Sequence, residues 1–282
     1  MRDQKRVFKD WVMPGPTAPG GQTAGPGSPE TGPETLDALS GLWRIFQYER
    51  GHRFSTDDLL TAWYGTSKCP SAGRALDLGS GIGSVGMMAA WRLQGATFVT
   101  LEAQDISVRL ARKSARHNGI EPRYEILQGD IRDERLLAGR EPFDLVLGSP
   151  PYFPLGTGIE GEHPQTIPCR FEVRGDVSHY CAAAARNLAP GGLFAFVFPT
   201  EQLERANAAA AASGLTIVTR RDVVFREGNA PLVSLFACAL ASDLPLTFRD
   251  KTFVEPALVV RTAKGEVHPE YRAVKYTMGF RP

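Results

Sequence analysis

Five consecutive residues of this 282-residue chain carry a chemistry of their own: Ser149-Pro150-Pro151-Tyr152-Phe153. Neither proline has an N–H, and each holds the residue before it in an extended conformation, so the backbone here is stiff. A serine oxygen, a fixed carbonyl and an aromatic face, side by side, could grip a flat nitrogen group. An exocyclic or amide nitrogen is a poor nucleophile because its lone pair is delocalised. Acceptors that take both of its N–H bonds favour a pyramidal nitrogen and free that pair. In this reading the Pro150 carbonyl, held by Pro151, takes one bond and Ser149 Oγ the other. Tyr152 and Phe153 stack on the substrate, a contact worth roughly 1–3 kcal/mol for a nucleic-acid base. The scheme requires no metal and no strong general base. The same residues also read as a rigid exit from a strand, and alone they do not choose between the two.

A second constellation lies upstream. In Asp77-Leu78-Gly79-Ser80-Gly81-Ile82-Gly83 a glycine-rich turn joins a strand to a helix, where exposed backbone N–H groups can meet a ligand. Read from Gly81, the run Gly81-Ile82-Gly83-Ser84-Val85-Gly86 also fits a dinucleotide-binding pattern, so a nicotinamide-dependent oxidoreductase competes. Two features favour a different ligand. Asp77 would repel a pyrophosphate but suits a cationic group. Acids also recur at or just after three strand ends, Asp77, Glu102 and Asp130, which in a doubly wound sheet line one crevice. S-adenosylmethionine matches that set with a cationic amino-acid end, a ribose diol for Glu102 and an adenine amino group for Asp130.

The elements that must position these residues follow from hydrophobic periodicity. Strands are expected at residues 75–78, 97–101, 124–127, 143–147, 193–198, 215–225 and 232–240. Helices are expected at 84–93, 106–117, 177–187 and 202–213, and ahead of them at 35–48 and 59–64. Alternation of this kind predicts an α/β, Rossmann-like fold: a doubly wound, mostly parallel seven-stranded sheet with an antiparallel edge strand. Residues 14–33 hold six prolines and six glycines in twenty positions, so residues 1–33 are expected as a disordered, basic, Pro/Gly-rich tail. The catalytic domain is then 34–250, with a helical lead-in, and 251–282 a C-terminal extension.

Composition narrows the class. The chain is 43% hydrophobic and 22% charged, enough to bury a full core, and its net charge of +1 leaves partner choice to local clustering. Cys69, Cys169, Cys181 and Cys238 show no paired metal-ligand spacing and read as reduced thiols. No apolar run is long enough to cross a bilayer and the start is polar, so a cytoplasmic protein without membrane or metal partners is expected.

The region from Arg53 to about Leu240 resembles class I S-adenosylmethionine-dependent methyltransferases, and Ser149-Pro150-Pro151-Tyr152 resembles the signature of their nitrogen-methylating members. With Gly51-His52-Arg53-Phe54-Ser55-Thr56-Asp57 added, the chain is similar to the bacterial family that methylates adenine N6 in valine tRNA. That resemblance implies Phe54, Ser55 and Asp57 at the methionine end of the cofactor, with Asp77, Gly79, Gly81, Gly83, Glu102 and Asp130 completing its site. It implies a flipped-out base in RNA as substrate. Loop arginines near the catalytic edge, Arg170 and Arg174, are candidates for its phosphates. The family usually has asparagine where this chain has Ser149, and serine is commoner in cytosine-N4 enzymes, so the target base stays open. A glutamine side chain in a translation factor or a small amine also remains as a substrate.

Overall fold

The computed structural model of the protein describes residues 7–8, 11–157 and 163–281. In chain order, the short pair β1 (Val7–Phe8) and β2 (Trp11–Val12) precedes the antiparallel hairpin β3 (Glu34–Ala38) and β4 (Arg44–Tyr48). Helix α1 (Thr56–Lys68) leads to β5 (Arg74–Leu78), α2 (Ser84–Arg92), β6 (Thr97–Glu102), α3 (Asp105–Asn118), β7 (Tyr124–Gln128) and β8 (Phe143–Gly148). Short α4 (Thr166–Arg170) and α5 (Val177–Asn187) come next, then β9 (Leu188–Pro199), α6 (Leu203–Ala212), β10 (Leu215–Val224) and β11 (Val233–Leu240). The chain closes with β12 (Phe253–Val259) and α7 (Pro269–Thr277).

The main sheet has the order β12-β10-β11-β9-β8-β5-β6-β7, parallel throughout except for β11, which runs against both β9 and β10. The doubly wound α/β class is as expected. The strand count is eight, because residues assigned to a C-terminal extension supply β12, parallel to β10, and the antiparallel strand lies inside the sheet because β11 inserts between β9 and β10. Chain order reverses between β5 and β8, whose ends meet at Leu78 and Gly148. Such a switch point opens a crevice beyond the carboxyl ends of the strands. Both sheet faces are covered. Trp43, Phe46, Tyr64, Phe98 and Val274 belong to one buried cluster, while on the other Phe194, Phe196 and Phe236 stack with centroids 4.9 and 4.7 Å apart.

The helix expected at 35–48 is a β-hairpin. Its apolar residues have a spacing that serves either period, and Gly41, at φ +56°, turns the chain where a Cβ would lie 2.5 Å from the Pro14 carbonyl oxygen. The outer edge of β4 is hydrogen-bonded by side chains of α3. Ser114 Oγ accepts the Phe46 N–H (2.9 Å), and Asn118 bonds both the N–H and the carbonyl of Arg44 (2.9 and 2.8 Å). An edge strand satisfied in this way is unavailable for pairing with another chain.

Residues 13–33, expected within a disordered tail, run along the body: Met13 is buried, the Gly20 N–H donates to the His117 carbonyl (3.0 Å) and the Gly25 N–H to Glu34 Oε2 (2.8 Å). Residues 1–6 and 9–10 of that tail lie outside the described residues. Among the described residues no helix is long and apolar enough to cross a membrane.

Candidate active site

A cavity of about 430 Å³ lies over the carboxyl ends of β5, β6 and β8. Its floor is the turn after β5. Gly79 there has φ +60°, and a Cβ would sit 1.9 Å from the hydroxyl of the buried Tyr180 on α5. Gly79→Ala is therefore expected to add about 1–2 kcal/mol of backbone strain to a clash with the Tyr180 hydroxyl. The measurable outcome is a lower melting temperature together with loss of ligand binding. A variant that melts and binds like wild type would show that the turn can open away from Tyr180.

Four carboxylates surround this turn in two distinct states. Asp77, on the end of β5, is buried and its Oδ2 accepts the Gly86 N–H at the start of α2 (2.8 Å). Burial pushes its pKa up, with the neighbouring Asp58 and Glu102 charges acting in the same direction. Glu102 braces the loop: its Oε2 accepts the Gly81 N–H (2.8 Å) and its Oε1 the Gln104 N–H (2.7 Å), while burial raises its pKa. Asp58 belongs to the capping box of α1, accepting the Ser55 N–H (2.8 Å), and burial pushes its pKa up to about 7. Asp130 is different. Arg132 chelates it through Nε (2.9 Å) and Nη2 (2.6 Å), which holds its pKa below the usual carboxylate range. The site thus offers three buried acids whose ionisation a cationic ligand would favour, and a fourth already ionised.

Asp58 gives a stability prediction with a definite sign. Unfolded, it loses its proton near 3.8; folded, it holds the proton until about 7. The folded state therefore binds more protons between those values, and stability from this group is present below pH ~4 and lost as pH rises to ~7. Asp58→Asn keeps an acceptor for the Ser55 N–H and removes the titration. Its melting temperature relative to wild type should rise between pH 5 and pH 7.5; a constant difference across that range would mean that Asp58 is already ionised in the folded protein.

The edge after β8 opens into the same cavity. Ser149, Pro150, Pro151, Tyr152 and Phe153 all line it. The Tyr152 ring meets Phe198 edge-on at 6.0 Å, Gln202 donates to the Tyr152 carbonyl (2.8 Å), and the Tyr152 hydroxyl donates to Asp57 Oδ2 (2.8 Å). That bond ties the first turn of α1 to the edge after β8. Phe153 is held by the returning chain: its N–H donates to the Arg170 carbonyl (3.1 Å) and its carbonyl accepts the Glu172 N–H (2.9 Å). The Arg170 guanidinium lies 5.8 Å from the Phe153 ring centroid, and Arg205 pairs with Glu172 at 2.6 Å.

Most residues singled out in the sequence converge here: Ser55, Asp57, Asp77, Gly79, Gly81, Glu102, Asp130, the Ser149 to Phe153 edge, Arg170 and Arg174. Phe54 and Gly83 do not line the cavity. Phe54 donates its N–H to Gln47 Oε1 (2.8 Å) and packs against Phe280, while Gly83 caps α2 with φ +86°. The structure adds His52, Asp58, Gln104, Cys169 and Tyr180 to the lining. Asp58 had a local signal, three residues after Ser55 as a capping box requires. Cys169 and Tyr180 had none, because only tertiary packing brings them to the cavity.

The sheet with its antiparallel strand, a glycine turn at the switch point and a proline-stiffened edge on the same cavity are those of a methyltransferase of the class I, S-adenosylmethionine-dependent type. Residues 58–160 match the methyltransferase small domain family. A relative from Shewanella amazonensis, described as tRNA1(Val) (adenine(37)-N6)-methyltransferase, is 30% identical over 194 residues, covering 68% of this chain and 80% of its own. One from Porphyromonas gingivalis with the same description is 28% identical over 236 residues, covering 81% and 90%. The chain belongs to this tRNA1(Val) adenine-N6-methyltransferase family, which displaces the oxidoreductase reading. Among solved structures, a predicted O-methyltransferase from Agrobacterium tumefaciens superposes with a TM-score of 0.62 at 19% identity, covering 80% of this chain and 98% of that one, a likeness of fold.

Proposed function

We propose that the protein methylates the exocyclic N6 of an adenine in tRNA, with S-adenosylmethionine as donor. The observation that carries this reading is that the Ser149 to Tyr152 edge and the Asp77, Glu102 and Asp130 carboxylates open into one cavity. The donor set suits the cofactor. Asp57, Asp58 and Asp77 present negative charge to its cationic amino-acid end, Glu102 to its ribose diol and Asp130 to its adenine amino group. When bound, the cofactor supplies an electrophilic methyl group on a sulfonium.

The chain's own residues do the rest. The Pro150 carbonyl and Ser149 Oγ accept the two N–H bonds of the adenine amine, so that its lone pair points toward the cofactor side of the cavity. Tyr152 stacks on the base and, through Asp57, keeps a fixed orientation relative to the methionine end. Holding both reactants in line is worth several kcal/mol of barrier. The base must leave its stack to reach this edge, and Phe153, Arg170 and Arg174 receive the extruded nucleotide. Activity in the cytoplasm follows from a tRNA substrate.

The test is transfer of a labelled methyl group from the cofactor to purified tRNA, DNA and protein, followed by nucleoside mass spectrometry. N6-methyladenosine in tRNA is the expected product. Label in cytosine would assign Ser149 the role it has in cytosine-N4 enzymes, and label in protein alone would overturn the nucleic-acid reading.

A further inference from the structure

The C-terminal part of the chain gathers cations beside the site. Arg226 lies in the β10–β11 connection, Arg261 and Lys264 in the turn after β12, and Arg272 and Lys275 on α7. Backbone and side chain hold these pieces together. The Glu227 N–H donates to the Arg261 carbonyl (2.9 Å), and a Cβ on Gly265 would lie 3.5 Å from Arg226 Nη2. Burial, and after it the like charges of Arg261 and Arg272, push the Lys275 amine below its usual pKa. Arg226, Arg261, Lys264 and Arg272 are exposed.

Their pairing is what separates them from the other cations nearby. Arg220 and Arg221 are matched with Asp222 and Glu270. Among the described residues none of the five has a carboxylate within ion-pairing distance, although Glu227 and Glu266 lie in the same turns; Glu227 Oε2 is occupied by the Ala263 N–H (3.0 Å). Five cations against three acids, of which Glu270 is already matched with Arg221, is a local excess in a chain whose net charge is only +1. Like charges held together on a surface repel one another, and a polyanion relieves that repulsion while releasing its own counterions.

The patch also adjoins the cavity. Helix α7 packs against α1, whose first turn supplies Asp57 to the cavity, and the Phe280 ring centroid lies 6.5 Å from that of Phe54. We propose that the surface formed by the β10–β11 connection, the turn after β12 and α7 carries the phosphate backbone of the tRNA, outside the nucleotide that enters the cavity. This rests on the RNA reading above. Phosphate contacts set register and orientation without reading sequence, so the surface contributes affinity for the folded tRNA and leaves base choice to the catalytic edge.

The test is the triple variant Arg261→Ala/Lys264→Ala/Arg272→Ala, with binding of full-length tRNA measured between 50 and 200 mM salt. Affinity should fall at least ~10-fold, and the slope of log K against log salt should shrink by about two to three, near one for each phosphate that is no longer neutralised. Affinity for S-adenosylhomocysteine should stay as in wild type. The double variant Lys264→Glu/Arg272→Glu provides a second readout on exposed positions. If wild type methylates tRNA and both variants keep its affinity and salt slope, the surface is overturned and the substrate reading stands. If wild type neither binds nor methylates tRNA, both are overturned.

Discussion

Tyr152→Ala should reduce methyl transfer to tRNA by on the order of 10³-fold, combining lost stacking of roughly 1–3 kcal/mol with loss of substrate orientation. Affinity for S-adenosylhomocysteine should change little, because the acids and the glycine turn remain. The structure adds a finer distinction. The Tyr152 hydroxyl donates to Asp57 at 2.8 Å, and Asp57 has its pKa raised by burial, with this hydrogen bond opposing the shift. Tyr152→Phe keeps the stacking face against Phe198 and removes only that bond, so its kcat should fall by about 10-fold, as for one hydrogen bond to a charged group. Steady-state kinetics with tRNA and calorimetry with S-adenosylhomocysteine separate the two effects. Parallel loss of cofactor affinity in Tyr152→Ala would move the residue from the base side of the cavity to the cofactor side.

Glu102→Ala should weaken cofactor binding by about 10²–10⁴-fold, the worth of two hydrogen bonds donated by the ribose hydroxyls to a charged acceptor. The side chain also braces the protein itself, through the N–H groups of Gly81 and Gln104 at 2.8 and 2.7 Å, so the variant loosens the turn as well as removing the acceptor. Glu102→Gln distinguishes the two roles. Its amide oxygen can still accept one loop N–H, but the charge is gone, and affinity should lie between those of wild type and the alanine variant. Calorimetric titration with S-adenosylhomocysteine, alongside a melting curve for each protein, reads both. A change below about threefold in Glu102→Ala would leave Glu102 as a brace of the glycine turn and move the ribose contact elsewhere.

The two residues differ in how they came to light. Glu102 was legible as an acid at the end of a strand, and the sheet topology placed it beside Gly81 as a doubly wound order requires. Tyr152 was legible as an aromatic following two prolines, but its link to Asp57 was not. Those residues are 95 positions apart, and nothing in either local pattern favours the pairing. The same holds for Asp58. Its capping role lies within one turn of helix, whereas its raised pKa arises from burial against groups supplied by other elements.

Sequence alone determined the alternation of strands and helices from Arg74 onward, the glycine turn after β5 and the stiff edge after β8. Each is encoded in a few adjacent residues, by hydrophobic period, by glycine or by proline. Tertiary structure decided what distant parts of the chain do to one another. The 35–48 stretch is a hairpin because Ser114 and Asn118 of α3 hydrogen-bond its edge, a contact spanning about seventy residues. Residues after 250 became an eighth strand and a helix against α1 because β10 had an edge to pair and α1 a face to cover. A local pattern states which backbone conformations are inexpensive; which of them is kept depends on partners that only the folded chain brings near.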